Sequence, residues 1–202
     1  MAGRLIAGVA LGLLTGAAAL AHDAPVILGA FRNGDHDGRI ALASGFVCPE
    51  RIGPYIRDAV GQSGPNEQAV FCSYYALDGI YGTVRILPLD GRFDGPASLA
   101  SQFALQTGSG AKVVAQATAT VAGKGTTPAV YSRTYETSRL ETLHYRVRYS
   151  SAPVRGWVVQ VISEYAAPRD DATRNLFLNW AYGPALAALR TRSPAVAQMA
   201  TK

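Results

Sequence analysis

Alternating cationic side chains are the feature of this sequence that points most directly to chemistry. Residues 143–149 carry a cation at every second internal position: His144, Arg146 and Arg148. Side chains two residues apart lie on one face of a β-strand, so a strand here groups these cations. Guanidinium groups bind carboxylates and phosphates through paired hydrogen bonds. If the strand register brings Arg133 of the preceding candidate strand to the same face, the four residues predict a binding surface for an acidic partner.

The sequence leaves two other interpretations of this segment open. Three carboxylates lie nearby in the chain and could pair with the cations across strands, which would leave an ordinary solvated face: Glu136, Glu141 and Glu164. The chain has only three histidines. A small secreted enzyme, the alternative to a binding domain, would therefore have to use His144 with nearby Glu or Arg.

Motifs of the readily detected enzyme classes are missing from the sequence. It contains no H-E-x-x-H zinc motif, no G-x-S-x-G nucleophile elbow, no phosphate loop and no dinucleotide-binding glycine motif. Residues 33–40 partly match a calcium loop, but Ser44 occupies the position of the closing carboxylate, which favours a polar turn. We therefore expect a binding domain without catalysis, and neither a metal nor a cofactor.

The two cysteines, Cys48 and Cys72, predict a disulfide. They lack C-x-x-C spacing, and two thiolates are too few for a four-cysteine zinc site. In an exported chain two cysteines usually pair, and closing a loop of about 24 residues stabilises by about 3 kcal/mol. A reactive thiol is the alternative, and it would need a neighbouring histidine.

The first 21 residues predict export. A single early cation, Arg4, precedes an apolar stretch, and Ala19-Leu20-Ala21 is a small-x-small cleavage site before His22. We expect a signal peptide over residues 1–21 and a periplasmic or secreted mature protein without stable membrane insertion. The alternative is an uncleaved anchor, although its apolar run is shorter than the roughly 20 residues that span a bilayer.

Composition indicates one globular domain. Of 202 residues 49% are hydrophobic and 16% charged, enough apolar residues for a sizeable core. The formal charge is +5, yet only three residues are lysines, so no polybasic segment suggests nucleic acid. The expected partner is instead an envelope protein or an acidic ligand.

Periodicity and turn residues predict the elements that position these groups. Apolar residues at helical spacing between Ile52 and Val60 predict a short helix, and Asp78-Gly79 predicts a hairpin joining strands 70–75 and 82–89. Further helices are expected over 96–106 and after Asp170, with a kink or a second segment at 184–189. The remaining predicted strands are 112–121, 129–135, 143–149 and 157–165.

This order predicts an α+β fold in which helices pack against an antiparallel β-meander sheet. The single domain would cover residues 45–190, followed by a flexible tail over 191–202. Residues 22–44 form the N-terminal segment of the mature chain, and the sequence does not decide whether it is ordered.

The same order resembles the PsbP-like fold. The resemblance covers residues 70–190 and rests on Pro88 followed by the 96–106 helix, on the aromatic and β-branched strand Trp157–Tyr165, and on a closing helix with Phe177. That fold occurs in photosystem extrinsic subunits, a nuclear-transport Ran-binding factor and exported bacterial proteins. The resemblance implies a binding or assembly domain without catalysis, and it transfers no site residue.

Overall fold

The computed structural model describes residues 28–63, 68–106, 112–120, 128–140 and 143–192. The predicted signal peptide lies outside these residues, as does the predicted tail from residue 193 onward. The strands are β1 (Phe31–Asn33), β2 (Arg39–Ala41), β3 (Val47–Cys48), β4 (Arg51–Ile52), β5 (Tyr55–Gln62), β6 (Val70–Ala76), β7 (Ile80–Pro88), β8 (Lys112–Thr120), β9 (Ala129–Leu140), β10 (Leu143–Val154) and β11 (Trp157–Ala166). The helices are α1 (Gly95–Gln106) and α2 (Asp171–Ala181), with short 3-10 turns at Leu28–Ala30, Leu77–Gly79 and Pro184–Ala188.

Eight strands form one antiparallel sheet in the order β4-β5-β6-β7-β11-β10-β9-β8. A small second sheet has the order β1-β2-β3. The structure has antiparallel sheets and helices, which agrees in coarse form with the predicted α+β class. Strands dominate the described residues.

The two helices pack on opposite faces of the large sheet. Helix α1 lies against β9 and β10, where buried Leu99 clusters with Tyr149 and Ile162. Helix α2 lies against β7 and β11, and its Phe177 belongs to a larger cluster that contains Val161. Because Val161 and Ile162 are neighbours on one strand, they point to opposite faces. We call these the α1 face and the α2 face.

Phe177 is the centre of the packing on the α2 face. Its ring is fully buried and lies 4.7 Å from Tyr55, 5.6 Å from Tyr74 and 5.7 Å from Trp180, centroid to centroid. A Cβ added at Gly82 on β7 would come within 2.6 Å of this ring. The absence of a side chain at residue 82 therefore lets the helix approach the strand.

We expect Phe177→Ala to destabilise the protein by about 3–5 kcal/mol, because it leaves a cavity among three aromatic rings. Leu176→Ala is the matched control on the same helix, since Leu176 is 42% exposed and should cost less than about 1 kcal/mol. Urea unfolding of both variants measures the difference, and equal losses would show that the aromatic cluster does not anchor α2.

The helix predicted near residues 52–60 is wrong, because residues 55–62 form strand β5. The pairing of β5 with β6 has a register shift between Arg57 and Ala59. This bulge adds one residue, so Tyr55 and Val60, an odd number of residues apart, both turn to the core. A strand with a bulge therefore produced apolar spacing that resembles a helix.

Cys48 and Cys72 form a disulfide, and their Cα atoms are 6.1 Å apart. Cys48 ends β3 in the small sheet, whereas Cys72 lies within β6 of the large one. Both residues are buried. The bond therefore joins the N-terminal sheet to the main one.

We expect thiol titration of the unreduced, denatured protein to find no free thiol. The double variant Cys48→Ser, Cys72→Ser should lose about 3 kcal/mol of stability, since it releases the loop between the sheets. Two titratable thiols in the unreduced protein would contradict the pairing.

Candidate functional site

The register of β9 and β10 decides which of the predicted site residues lie together. Arg148 lies opposite Thr134 and Arg146 opposite Glu136, whereas Arg133 lies opposite Tyr149. Residues that pair directly across an antiparallel ladder share a face. Arg146 and Arg148 therefore occupy the α2 face together, and Arg133 lies on the α1 face and does not join them.

His144 lies in β10, where the pairing with β9 is irregular between Leu143 and Tyr145. Its side chain is outside the described part of the structure. The role predicted for His144, in binding or in an enzyme, therefore stays a prediction.

Two of the three carboxylates that could have paired with these cations are placed by the same register. Glu164 lies opposite Val147 on β10, so it is on the α1 face. Glu136 lies on the same face as Arg146 and directly opposite it. No ion pair joins Glu136 to Arg146 among the described side chains. Glu141 lies outside the described residues.

Arg146 and Arg148 are half-buried, and each has a polar atom without a partner. The Nε atoms of both guanidiniums are buried and make no hydrogen bond. Arg148 donates from Nη2 to the Ser132 hydroxyl at 3.2 Å. Ser163, directly opposite Arg148 on β11, is buried and its Oγ also lacks a partner. The two guanidiniums and these hydroxyls therefore lie on the same face of the sheet.

Arg174 on α2 adds a third cation to this face. Its guanidinium carbon lies 4.7 Å from the centroid of the Tyr165 ring, and Nη1 donates to the Tyr165 hydroxyl at 2.8 Å. Tyr165 is the residue opposite Arg146 on β11. Arg174 also forms an ion pair with Asp171 at 3.0 Å. Its charge is therefore partly balanced, whereas neither strand arginine forms an ion pair with a described residue.

Burial and the neighbouring cation Arg174 both affect the pKa of Arg148. Burial lowers the pKa of its guanidinium, the charge of Arg174 lowers it further, and Tyr165 and Tyr182 oppose the change. Both lowering effects penalise the charged form. A bound anion would offset them, because it supplies the opposite charge and hydrogen-bond acceptors.

Sequence reasoning found Arg146 and Arg148 and missed Arg174. Strand periodicity alone groups the first two, whereas Arg174 comes from a helix that meets the sheet only through tertiary packing. The amphipathic pattern around Leu176, Phe177 and Trp180 located that helix, but it did not show which strand the first turn would cover. We call Arg146, Arg148 and Arg174 the arginine cluster.

The arginine cluster can hold an anionic group with several oxygens. Charge-assisted hydrogen bonds from guanidiniums are shorter and stronger than neutral ones. Across the described residues, no group of three or more His, Cys, Asp or Glu side chains is arranged to hold a metal ion. Guanidinium groups are the donors that carboxylates and phosphates bind through paired hydrogen bonds.

No known protein family matches the chain, and the search of curated proteins returned no match. The PsbP-like resemblance therefore continues to rest on the order of elements alone. None of the helices in the described residues is long and apolar enough to cross a membrane.

Proposed function

We propose that this protein is an exported, non-catalytic binding domain that holds an anionic group of its ligand or of an envelope protein on the arginine cluster. The observation that carries the proposal is the pair of half-buried guanidiniums of Arg146 and Arg148, whose Nε atoms are buried without an acceptor.

The energetics favour an external anion at this place. Burying an unpaired charge is costly, and a hydrogen bond that involves a charged group contributes about 1.5–3 kcal/mol. Arg174 on α2 lies close enough to lower the pKa of Arg148, so it adds to the positive potential of the arginine cluster. Such a site attracts acidic groups, with a strength that falls as ionic strength rises.

Two features support export as part of the proposal. The N-terminal residues 1–21 have the pattern of a signal peptide, and the Cys48–Cys72 disulfide suits an oxidising compartment. A binding domain in that compartment could take an acidic small molecule or an acidic side chain of an envelope protein. The arginine cluster recognises the anionic group in either case. No observation in the described side chains favours the alternative, a secreted enzyme that uses His144.

We expect inorganic phosphate and citrate to shift the NMR signals of the Arg146 and Arg148 Nε–H groups in the mature protein at low salt. The double variant Arg146→Gln, Arg148→Gln should weaken this binding about tenfold or more, because two charge-assisted contacts are lost. Arg92→Gln is the control, since Arg92 is an exposed arginine in a turn and should leave binding unchanged.

The same double variant tests whether these arginines are structural. Because neither arginine forms an ion pair with a described residue, neutralising them should leave the midpoint of unfolding unchanged or slightly higher. Strong destabilisation, or anion binding equal to that of the parent protein, would contradict the proposed site. Binding that is equal at 20 mM and 500 mM salt would contradict its electrostatic basis.

A further inference from the structure

A pocket of about 210 Å³ lies on the α1 face, on the opposite side of the sheet from the arginine cluster. It lies over β6, β7 and β11, and its lining residues are Phe71, Ser73, Thr83, Arg85, Ile162 and Glu164. The register explains why they meet, since Ser73 pairs with Thr83 and Thr83 with Ile162. Alternate positions on three neighbouring strands thus form its floor.

Helix α1 packs on the sheet beside this pocket. Gln160, opposite Arg85 on β11, donates from Nε2 to the Ser98 hydroxyl of α1 at 2.9 Å. Ser98 also hydrogen bonds with Ser151 on β10 at 2.9 Å. The helix is therefore fixed next to the pocket by polar contacts with β10 and β11.

Arg85 is the cation of this pocket. Its side chain is half-buried, its Nε is buried without a hydrogen-bond partner, and it forms no ion pair within the described part of the chain. Burial lowers the pKa of Arg85, and Tyr149 opposes that change. As with Arg146, no described residue accepts a hydrogen bond from the Nε of this guanidinium.

The other lining residues restrict which ligand could bind the Arg85 guanidinium. Phe71 and Ile162 provide an apolar surface, and Ser73 and Thr83 provide hydroxyls between them. Glu164 lies four residues along β11 from the partner of Arg85, which is about 13 Å of strand. Arg85 is the one cation among the six lining residues, so a ligand with a single anionic group fits the pocket better than a dianion.

The size of the pocket restricts the ligand further. A volume of about 210 Å³ is below the roughly 300–1,000 Å³ of pockets that enclose drug-sized ligands, so a ligand here would be small. Pockets for such ligands combine an apolar lining with a few polar groups that fix orientation. Here Phe71 and Ile162 supply the apolar part of the lining, and the other four residues supply polar or charged groups.

We propose that the pocket is a second ligand site, which binds a small monocarboxylate with an apolar body. The carboxylate lies on the Arg85 guanidinium, and the apolar body lies on Phe71 and Ile162. This inference does not depend on the arginine cluster, because the two sites occupy opposite faces of the sheet.

The test is titration of the mature protein with phenylacetate, followed by NMR and calorimetry, with phenylacetamide as the uncharged comparison. We expect phenylacetate to shift the signals of Phe71, Ser73 and Thr83. We expect phenylacetamide to bind at least tenfold more weakly, since it cannot form the charge-assisted contact.

Variants at Arg85 test the assignment of the carboxylate. Arg85→Gln should weaken phenylacetate binding about tenfold or more, Arg85→Lys should lose less, and Arg92→Gln should have no effect. The double variant Arg146→Gln, Arg148→Gln should bind phenylacetate like the parent protein, which separates this site from the arginine cluster. Equal binding of acid and amide, or unchanged binding in both Arg85 variants, would overturn the proposal.

Discussion

Pairing between β7 and β11 is the interaction on which the rest of this structure depends. Tyr81–Pro88 pair with Trp157–Glu164, and this ladder joins two groups of strands that are far apart in the chain. Every residue of β11 except Glu164 is buried. Water cannot satisfy backbone groups in such a strand, so its hydrogen bonds must be completed by neighbours on both sides. The central ladder therefore holds both halves of the sheet in one register.

That register assigns each side chain to one of two differently covered faces. Helix α1 covers β9 and β10 on one face of the sheet, and α2 covers β7 and β11 on the other. A shift of one residue would exchange the faces of all side chains on a strand. The arginine cluster and the pocket at Arg85 are consequences of the same pairing.

Some arginines in this protein donate hydrogen bonds that hold segments of the fold together, whereas others make no such contacts with described residues. Arg155 donates to the carbonyl of Leu189, and Arg192 donates to the carbonyl of Leu89 and to Asp90. These contacts hold the segment that follows α2 against the sheet. Arg85 and Arg146 make no such contacts with described residues, although both are half-buried. A partly buried cation without such contacts is costly to retain, and this cost is the basis of both proposed ligand sites.

The sequence by itself determined most local elements and the grouping of Arg146 with Arg148. Strict alternation in β10 required only that the segment be a strand, because side-chain direction in a strand repeats every two residues. The Asp78-Gly79 turn likewise located the β6–β7 hairpin, whose residues Ala76 and Ile80 pair across it. Local periodicity was misleading at β5, where the bulge near Asp58 made strand spacing resemble a helix.

Only the tertiary structure decided the composition of both sites. The register between β9 and β10 separated Arg133 from Arg148, the packing of α2 brought Arg174 to Tyr165, and three strands assembled the pocket around Arg85. Each of these relations joins residues that are distant in sequence. Their alignment is set by burial of apolar side chains and completion of backbone hydrogen bonds over the whole sheet, and a local segment contains no information about either.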